Sequence, residues 1–362
     1  MFMKNQFINR HSLLTLLYGF LFLGMLGCQK MDIKLNTPND YARPAGEFIQ
    51  NNFEFSLFAA AVREAGLVEK LNEAGPYTIL APTNTAFQQL GIRQASDFKK
   101  YSKEEIKDIV ERHILAGRIA KEDIPEHSME NLYYSINNTR LWVSRNNRWG
   151  EDRGFSICGS HVSPQNANVF MANGFLHEIN KVLKVSEKPY LEWLEEQEDY
   201  KIFLTGLKKF GIIDRIKSLP EFTIFAPKDK VFQKHGITLE SLEMMDTNRY
   251  GSRLFGAYVF GLKFFTTDLN FFPSTSFEFG YSYYRAAYRS VIYGNEFFSN
   301  GINHDGKDRY QFFVIETYPF EKEIPFRLIP FNVVLAMTDY SFPNAVMHEI
   351  DELIFLPNET LQ

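Results

Sequence analysis

Cys158 and His161, in "FSICGSH" (155–161), place a thiol near an imidazole. Such a pair can make a nucleophile, the imidazole taking the thiol proton. No third orienting group and no family signature accompany them, so Cys158 reads as a small buried apolar residue. His177-Glu178 and His348-Glu349 set an imidazole beside a carboxylate, the raw material of general acid–base chemistry. Both pairs lie on strand-prone sequence, where neighbouring side chains project to opposite faces, so neither pair can address one substrate. No second histidine follows at helical spacing to make a zinc site. These histidines read as strand residues hydrogen-bonded near the core edge, and His113 as a helix-end residue. "NHDGKD" (303–308) has Asn303, Asp305 and Asp308 around Gly306 but lacks the closing bidentate Glu of a calcium loop, and reads as a polar turn. The carboxylates of "WLEEQED" (193–199) read as a solvated helix face. There is no Gly-rich phosphate loop, nucleophile elbow or Cys-x-x-Cys pair. The expectation is a chain without enzyme activity, cofactor or metal.

One cysteine has a different chemistry in prospect. Lys4 and Arg10 precede the apolar run "LLTLLYGFLFLGMLG" (13–27), which is too short for a confident membrane span, and Cys28 follows. "MLGC" (25–28) resembles a bacterial lipobox. That resemblance implies a signal peptide over 1–27, cleavage before Cys28 and diacylglycerol on its sulfur. It implies a cell-envelope protein held at the outer membrane, of Gram-negative type, with the possibility of surface display. Residues 28–45, polar and holding two prolines, then read as anchor and tether. With Cys28 lipidated, Cys158 is the one thiol left and no intramolecular disulfide can form. The net charge of -5 over 362 residues, with no basic block, argues against nucleic acid as a partner.

The stretch "NFFPSTSFEFGYSYYRAAY" (270–288) concentrates the aromatic excess. Phe277, Phe279, Tyr281 and Tyr283 alternate, so on a strand they share one face, with Tyr284 beside them. Flat rings suit sugar faces, apolar ligands or protein partners. The same face could instead close a core or join two domains, and the sequence leaves both readings open.

The elements that must position these residues occur twice. "GPYTILAPTNTAF" (75–87) returns as "PEFTIFAPKDKVF" (220–232), and "AGLVEKL" (65–71) as "FGIIDRI" (210–216), Thr78 falling on Thr223 at an offset of 145. "NGFLHEINKVL" (173–183) returns as "NAVMHEIDELI" (344–354), Asn173 falling on Asn344 at an offset of 171. The 26-residue difference between the offsets places an insertion in the second copy between 270 and 343. So long a period means duplicated domains rather than a solenoid. "TIL" and "TIF" are β-prone, and Pro82 and Pro227 end the strands because proline donates to no ladder. Asn84 and Asp229 can cap a following short helix or turn. Ser102 and Glu105 form a capping-box signature for a helix whose face carries Ile106, Ile109, Val110 and Ile114. Asn173-Gly174 reads as a tight turn, and "RLWVSRNNRW" as a hairpin with Asn146-Asn147 near its tip.

On these paired blocks the chain resembles two tandem fasciclin domains over about residues 46–357. A third, weaker family element lies at Arg112-His113 in the first copy and Ala257-Tyr258 in the second. Neither keeps the Tyr-His dipeptide through which animal members contact receptors, so that role does not carry over to His113 or Tyr258. The resemblance implies an α+β fold, each domain a β-sandwich wedge with packed helices, with domains at 46–186 and 187–358. It also implies a non-enzymatic binding or adhesion lipoprotein that captures a protein or carbohydrate. The alternative is an accessory lipoprotein subunit of an outer-membrane nutrient transporter, one taking up glycans; an enzyme using Cys158, His161 or the insertion is a third reading.

Overall fold

In the computed structural model the described residues are 42–126, 128–145, 152–261, 263–271, 274–276, 282–284, 288–289, 297–304, 310–317, 326–331 and 338–361. The signal segment, Cys28 and the tether as far as Tyr41 lie outside them. So do Asn146-Asn147, Phe277, Phe279, Tyr281 and residues 305–309 of the polar turn.

The first repeat opens with helices α1 (Ala45–Gln50), α2 (Ser56–Glu64) and α3 (Val68–Asn72). Strand β1 (Tyr77–Pro82), α4 (Asn84–Gln88), α5 (Lys103–Arg112) and β2 (Ile114–Ala116) follow. Next come β3 (Ser128–Tyr134), β4 (Arg140–Arg145), β5 (Phe155–Ile157) and β6 (Ser160–Val162), then β7 (Val169–Met171) and β8 (Gly174–Ile179). The sheet order is β2-β1-β8-β7, with β1 and β8 parallel from Tyr77↔Gly174 to Pro82↔Ile179. A second sheet, β3-β4-β5-β6, lies against one face.

Strand alternation divides the core in two. Ile79, Ala81 and Leu176 pack with Phe58, Leu71 and Phe87 of the helical layer. Leu80, Leu115 and Ile179 face Leu141, Val143 and Ile157 of the second sheet. Each such Leu, Ile, Val or Phe side chain, fully buried, contributes about 1.5–3 kcal/mol. Helix layer, sheet and second sheet make the architecture α+β.

The pattern recurs after residue 187. Helices α6 (Tyr190–Glu195), α7 (Lys201–Lys209) and α8 (Ile212–Ser218) lead to β9 (Phe222–Pro227). Helices α9 (Asp229–Lys234), α10 (Leu239–Met244), α11 (Thr247–Tyr250) and α12 (Arg253–Gly256) precede β10 (Val259–Phe260). A hairpin pairs β11 (Ser274–Ser276) with β12 (Ser282–Tyr284). A four-stranded antiparallel sheet follows: β13 (Tyr288–Arg289), β14 (Phe297–His304), β15 (Tyr310–Thr317) and β16 (Phe326–Phe331). Strands β17 (Tyr340–Phe342) and β18 (Ala345–Ile350) complete the sheet β10-β9-β18-β17. Its parallel register runs from Phe222↔Ala345 to Pro227↔Ile350, the first repeat's register at both offsets. The hairpin β11–β12 falls inside the span where the sequence places the insertion.

Local signals hold with two corrections. Ser102 and Glu105 form the capping box of α5. That helix ends at Arg112, however, and Ile114 begins β2 rather than lining the helix. Asn84 and Asp229 do not cap the helices that follow them. Their side chains accept from Leu57 N at 2.9 Å and Ile202 N at 2.8 Å, at the amino ends of α2 and α7. The reason is tertiary: the strand preceding each residue delivers it beside the start of the earlier, longer helix. Thr83 takes the local cap of α4 instead.

Residues 42–362 form one compact unit because the repeats share a polar and apolar seam. Lys181 Nζ lies 2.5 Å from the buried Asp339 carboxylate, which also accepts from the amide and hydroxyl of Thr266 at 2.7 Å. Ser144 donates to Asp268 at 2.7 Å, and Phe265 and Val346 enter the first repeat's sheet-to-sheet core. Gly159, at φ +78°, allows the approach: a Cβ there would lie 2.2 Å from the Asp339 side chain. Burial pushes the Asp339 carboxyl upward, but the Lys181 and His348 charges and the bonds from Lys181 and Thr266 outweigh it and hold it below its usual range. Replacing Lys181 by Met leaves that carboxylate buried without its cation, so unfolding free energy should fall by about 3 kcal/mol in chemical denaturation. The double variant Lys181→Met/Asp339→Asn should recover most of the loss, because Asn168 occupies the equivalent place in the first repeat.

Candidate functional site

The residues that sequence patterning offers for chemistry are separated by the fold. Cys158 is buried at φ 44°, and its Sγ accepts from Trp142 N at 3.4 Å. Burial pushes its thiol up to about 12. His161 is exposed, and its ring meets Ser156 Oγ at 3.4 Å. The thiol lies instead at a polar cavity of about 10 Å³ with Lys181, Lys184 and Asp339, room for a single water. Burial lowers Lys184 there to about 8.

The buried histidines hold backbone. His113 Nε2 accepts from Leu183 N at 3.0 Å while Nδ1, 2.7 Å from Ile109 O, carries the proton it donates. The equivalent Tyr258 does the same work, its hydroxyl accepting from Ile354 N at 3.1 Å. Both are fully buried, so neither presents a surface to a partner. His177 Nδ1 accepts from Asn168 N at 3.1 Å and Nε2 donates to Ile119 O at 2.9 Å. His348 Nδ1 accepts from Asp339 N at 3.2 Å, and its ring stacks on Phe225 with centroids 4.9 Å apart. The reading of these side chains as hydrogen-bonded strand or helix-end residues therefore matches their geometry. Asn168 and Asp339, the partners, sit in the left-handed region at φ 56° and 58°.

The carboxylates beside the two strand histidines differ. Glu178 is half-buried and accepts from Asn166 at 2.7 Å; burial, then the Glu54 charge, raises its carboxyl. Glu349 is buried, accepts from the Tyr200 hydroxyl at 2.9 Å and lies 3.6 Å from Lys228. Lys228 also pairs with Asp199 at 3.2 Å on the wall of an open cleft of about 340 Å³ lined by Glu198, Asp229, Lys230 and Gln233. Charge in that cleft is largely compensated.

Of the aromatic stretch, Tyr283 pairs in register with Thr275 and Tyr284 with Ser274. Sequence patterning overlooked a different aromatic cluster. Phe170 on β7 is 50% exposed and meets Phe175 on β8 edge to face at 6.3 Å. The Arg118 guanidinium lies 5.7 Å and 5.4 Å from their two centroids. The usable signal was the repeat alignment, which sets Arg118, Phe170 and Phe175 against Lys263, Ser341 and Val346. Among the described residues no helix is long and apolar enough to cross a membrane.

The chain is similar to several known proteins. Residues 53–185 match the fasciclin domain family, and this part of the chain is a fasciclin domain. The transforming growth factor-beta-induced protein ig-h3 of Sus scrofa is 30% identical over 139 residues, 38% of this chain and 19% of that protein. Human periostin is 23% identical over 190 residues, 52% of this chain and 20% of that protein. Protein sll1483 of Synechocystis is 27% identical over 161 residues, 43% of this chain and 81% of that protein. The chain thus spans about a fifth of the two animal relatives and most of the cyanobacterial one. Among solved structures, the FAS1 domain pair of the insect cell adhesion molecule fasciclin I is 20% identical, covering 84% of this chain and 98% of that one with a TM-score of 0.35.

The buried histidines make stability depend on acid. Burial lowers His113 to about 3 and His348 to about 4, against about 6.5 when unfolded. Protonation of His113 would break its bond from Leu183 N. Stability is therefore full above about pH 6.5 and falls as pH drops toward 4, since the unfolded chain takes up protons first, at up to about 1.4 kcal/mol per pH unit for each histidine. Denaturation midpoints measured across this range should show the slope. His113→Tyr, which copies the second repeat's solution, should remove one histidine's share of it.

Proposed function

We propose that this chain is a non-enzymatic binding protein of the cell envelope, lipid-anchored through Cys28 at the outer membrane, that captures a protein or glycan. Its repeats divide at about residue 186, and the second repeat, by the same strand order and register, is a second fasciclin module. The observation that carries the proposal is the engagement of Cys158, His113, His177 and His348 in bonds that hold backbone within the fold. The fasciclin domain at 53–185 supports a binding role. The aromatic run Phe277, Phe279, Tyr281, Tyr283 and Tyr284 supplies the rings that a glycan face or protein partner would meet.

A glycan and matrix-protein array probed with the chain from residue 29 onward tests this reading. One ligand class should bind without turnover, and Tyr281→Ala/Tyr283→Ala should abolish binding while the circular dichroism spectrum and melting transition stay unchanged. Binding that survives in the double variant would move the site elsewhere. Failure of every array ligand, with co-purification of a β-barrel transporter from detergent-solubilised membranes, would replace this reading by that of an uptake-complex subunit.

A further inference from the structure

The two repeats treat one pair of carboxylates differently. In the second, Lys228 Nζ lies 3.2 Å from Asp199, 3.6 Å from Glu349 and 5.7 Å from the centroid of the Tyr200 ring. The Tyr200 hydroxyl donates to Glu349 as well. An ammonium is thus held by two carboxylates and one ring, on the wall of an open cleft that Glu198 also lines.

The first repeat keeps the holders and has no lysine to place among them. At the offset of 145, Asp199 falls on Glu54, Tyr200 on Phe55 and Lys228 on Thr83; at the offset of 171, Glu349 falls on Glu178. The elements agree. Glu54 and Asp199 are the middle residues of short 3-10 helices, and Glu178 and Glu349 stand opposite Ala81 and Ala226 in the parallel strand pairs. Thr83 turns its hydroxyl to the amide of Ala86 as the cap of α4, and Phe55 has no hydroxyl to give. Among the described residues Asn166 is the donor to Glu178, and no cation pairs with Glu178 or Glu54. Burial, then the Glu54 charge, raises the Glu178 carboxyl. Phe53, in the place of Glu198, is 83% exposed. Its carbonyl accepts from Asn84 Nδ2 at 2.8 Å, and the amide of Glu54 donates to Asn52 Oδ1 at 3.0 Å, so the backbone that presents it is fixed.

Two carboxylates that converge on one place repel, and a cation set between them relieves both. Acidic residues alone would name no ligand; the second repeat names one by seating a lysine there. We propose that Glu54 and Glu178, with Phe53 and Phe55 beside them, form a docking site for a lysine or arginine side chain of a partner protein, its charged end taking the place that the Lys228 ammonium has in the second repeat. Phe53 meets the apolar stem of that side chain. The site is apart from the aromatic run at 277–284 and stands whether or not that run binds a ligand.

Titration of the chain from residue 29 onward with an N-acetylated, C-amidated tetralysine peptide, followed by amide NMR, tests it. Shifts should saturate and gather at residues 53–55, 83–84 and 178. Affinity should fall by about tenfold or more between roughly 0.05 and 0.5 M salt, as screening requires. Glu54→Gln, at an exposed position, should weaken binding by roughly tenfold without changing the melting transition. Thr83→Lys, which copies the second repeat, should remove peptide binding by supplying the cation from within, whereas Thr83→Ser should leave it unchanged. The proposal would be overturned by a lack of saturable shifts, by shifts scattered over the acidic surface, or by binding that persists in folded Glu54→Gln or folded Thr83→Lys. It would equally fall if calcium ions displaced the peptide and gave the same shifts at lower concentration, which would make the site one for a metal ion.

Discussion

Each repeat depends on one parallel strand pair drawn from opposite ends of its sequence. Strand β1 meets β8 and β9 meets β18, with nearly the whole repeat as the connecting loop. Parallel pairing cannot be made by a tight turn, and closing so long a loop costs entropy before any contact offsets it. The remaining elements hold that closure. Tyr77 N donates to Asn173 O at 2.9 Å and Phe222 N to Asn344 O at 3.0 Å where the pairs begin. The Asn173 side chain joins Ala45 N to Leu71 O and Glu73 O, tying the pair's start to the helical layer. Beyond its end, His113 or Tyr258 grips the amide four residues after the last paired residue.

That dependence explains what could be read in the sequence. The two blocks that repeat most clearly are the two partners of the parallel pair, so the duplication was visible without coordinates, while the α+β class came from the family resemblance those blocks carry. The capping box of Ser102 was legible because it is local. Asn84 and Asp229 were misassigned because their partners lie in an earlier helix, and no local rule ranks a distant amide above a near one. The histidines bond backbone as strand and helix-end residues, and strand alternation sets each His-Glu pair on opposite faces. The seam and the Arg118–Phe170–Phe175 cluster escaped because each joins residues from separate elements with no common period.

Duplication also lets the copies be read against each other. The first repeat has Leu80, Leu115 and Ile119 where the second has Phe225, Phe260 and Phe264. A cavity of about 20 Å³ remains beside the aliphatic set, with Thr78 and His177 on its wall. In the second repeat the rings meet one another and His348 at centroid distances of 4.9 to 6.3 Å. Part of the chain's phenylalanine excess is therefore core filling, which is why aromatic content alone marks no binding face.

The most consequential divergence is one atom in size. Asn168 and Asp339 hold the same left-handed backbone, offer their amides to the equivalent histidines His177 and His348, and accept from the equivalent amides of Lys121 and Thr266 at 2.7 Å. Asn168 directs its second polar group to Glu122 within its own repeat. Asp339 carries a charge there, and the charge reaches across to Lys181. A buried carboxylate is tolerable only where a cation and donors surround it, so in the docked chain Asp339 depends on Lys181 of the first repeat. Replacing an amide by a carboxylate at one inherited turn thus redirects its second polar group from its own repeat to the neighbouring one.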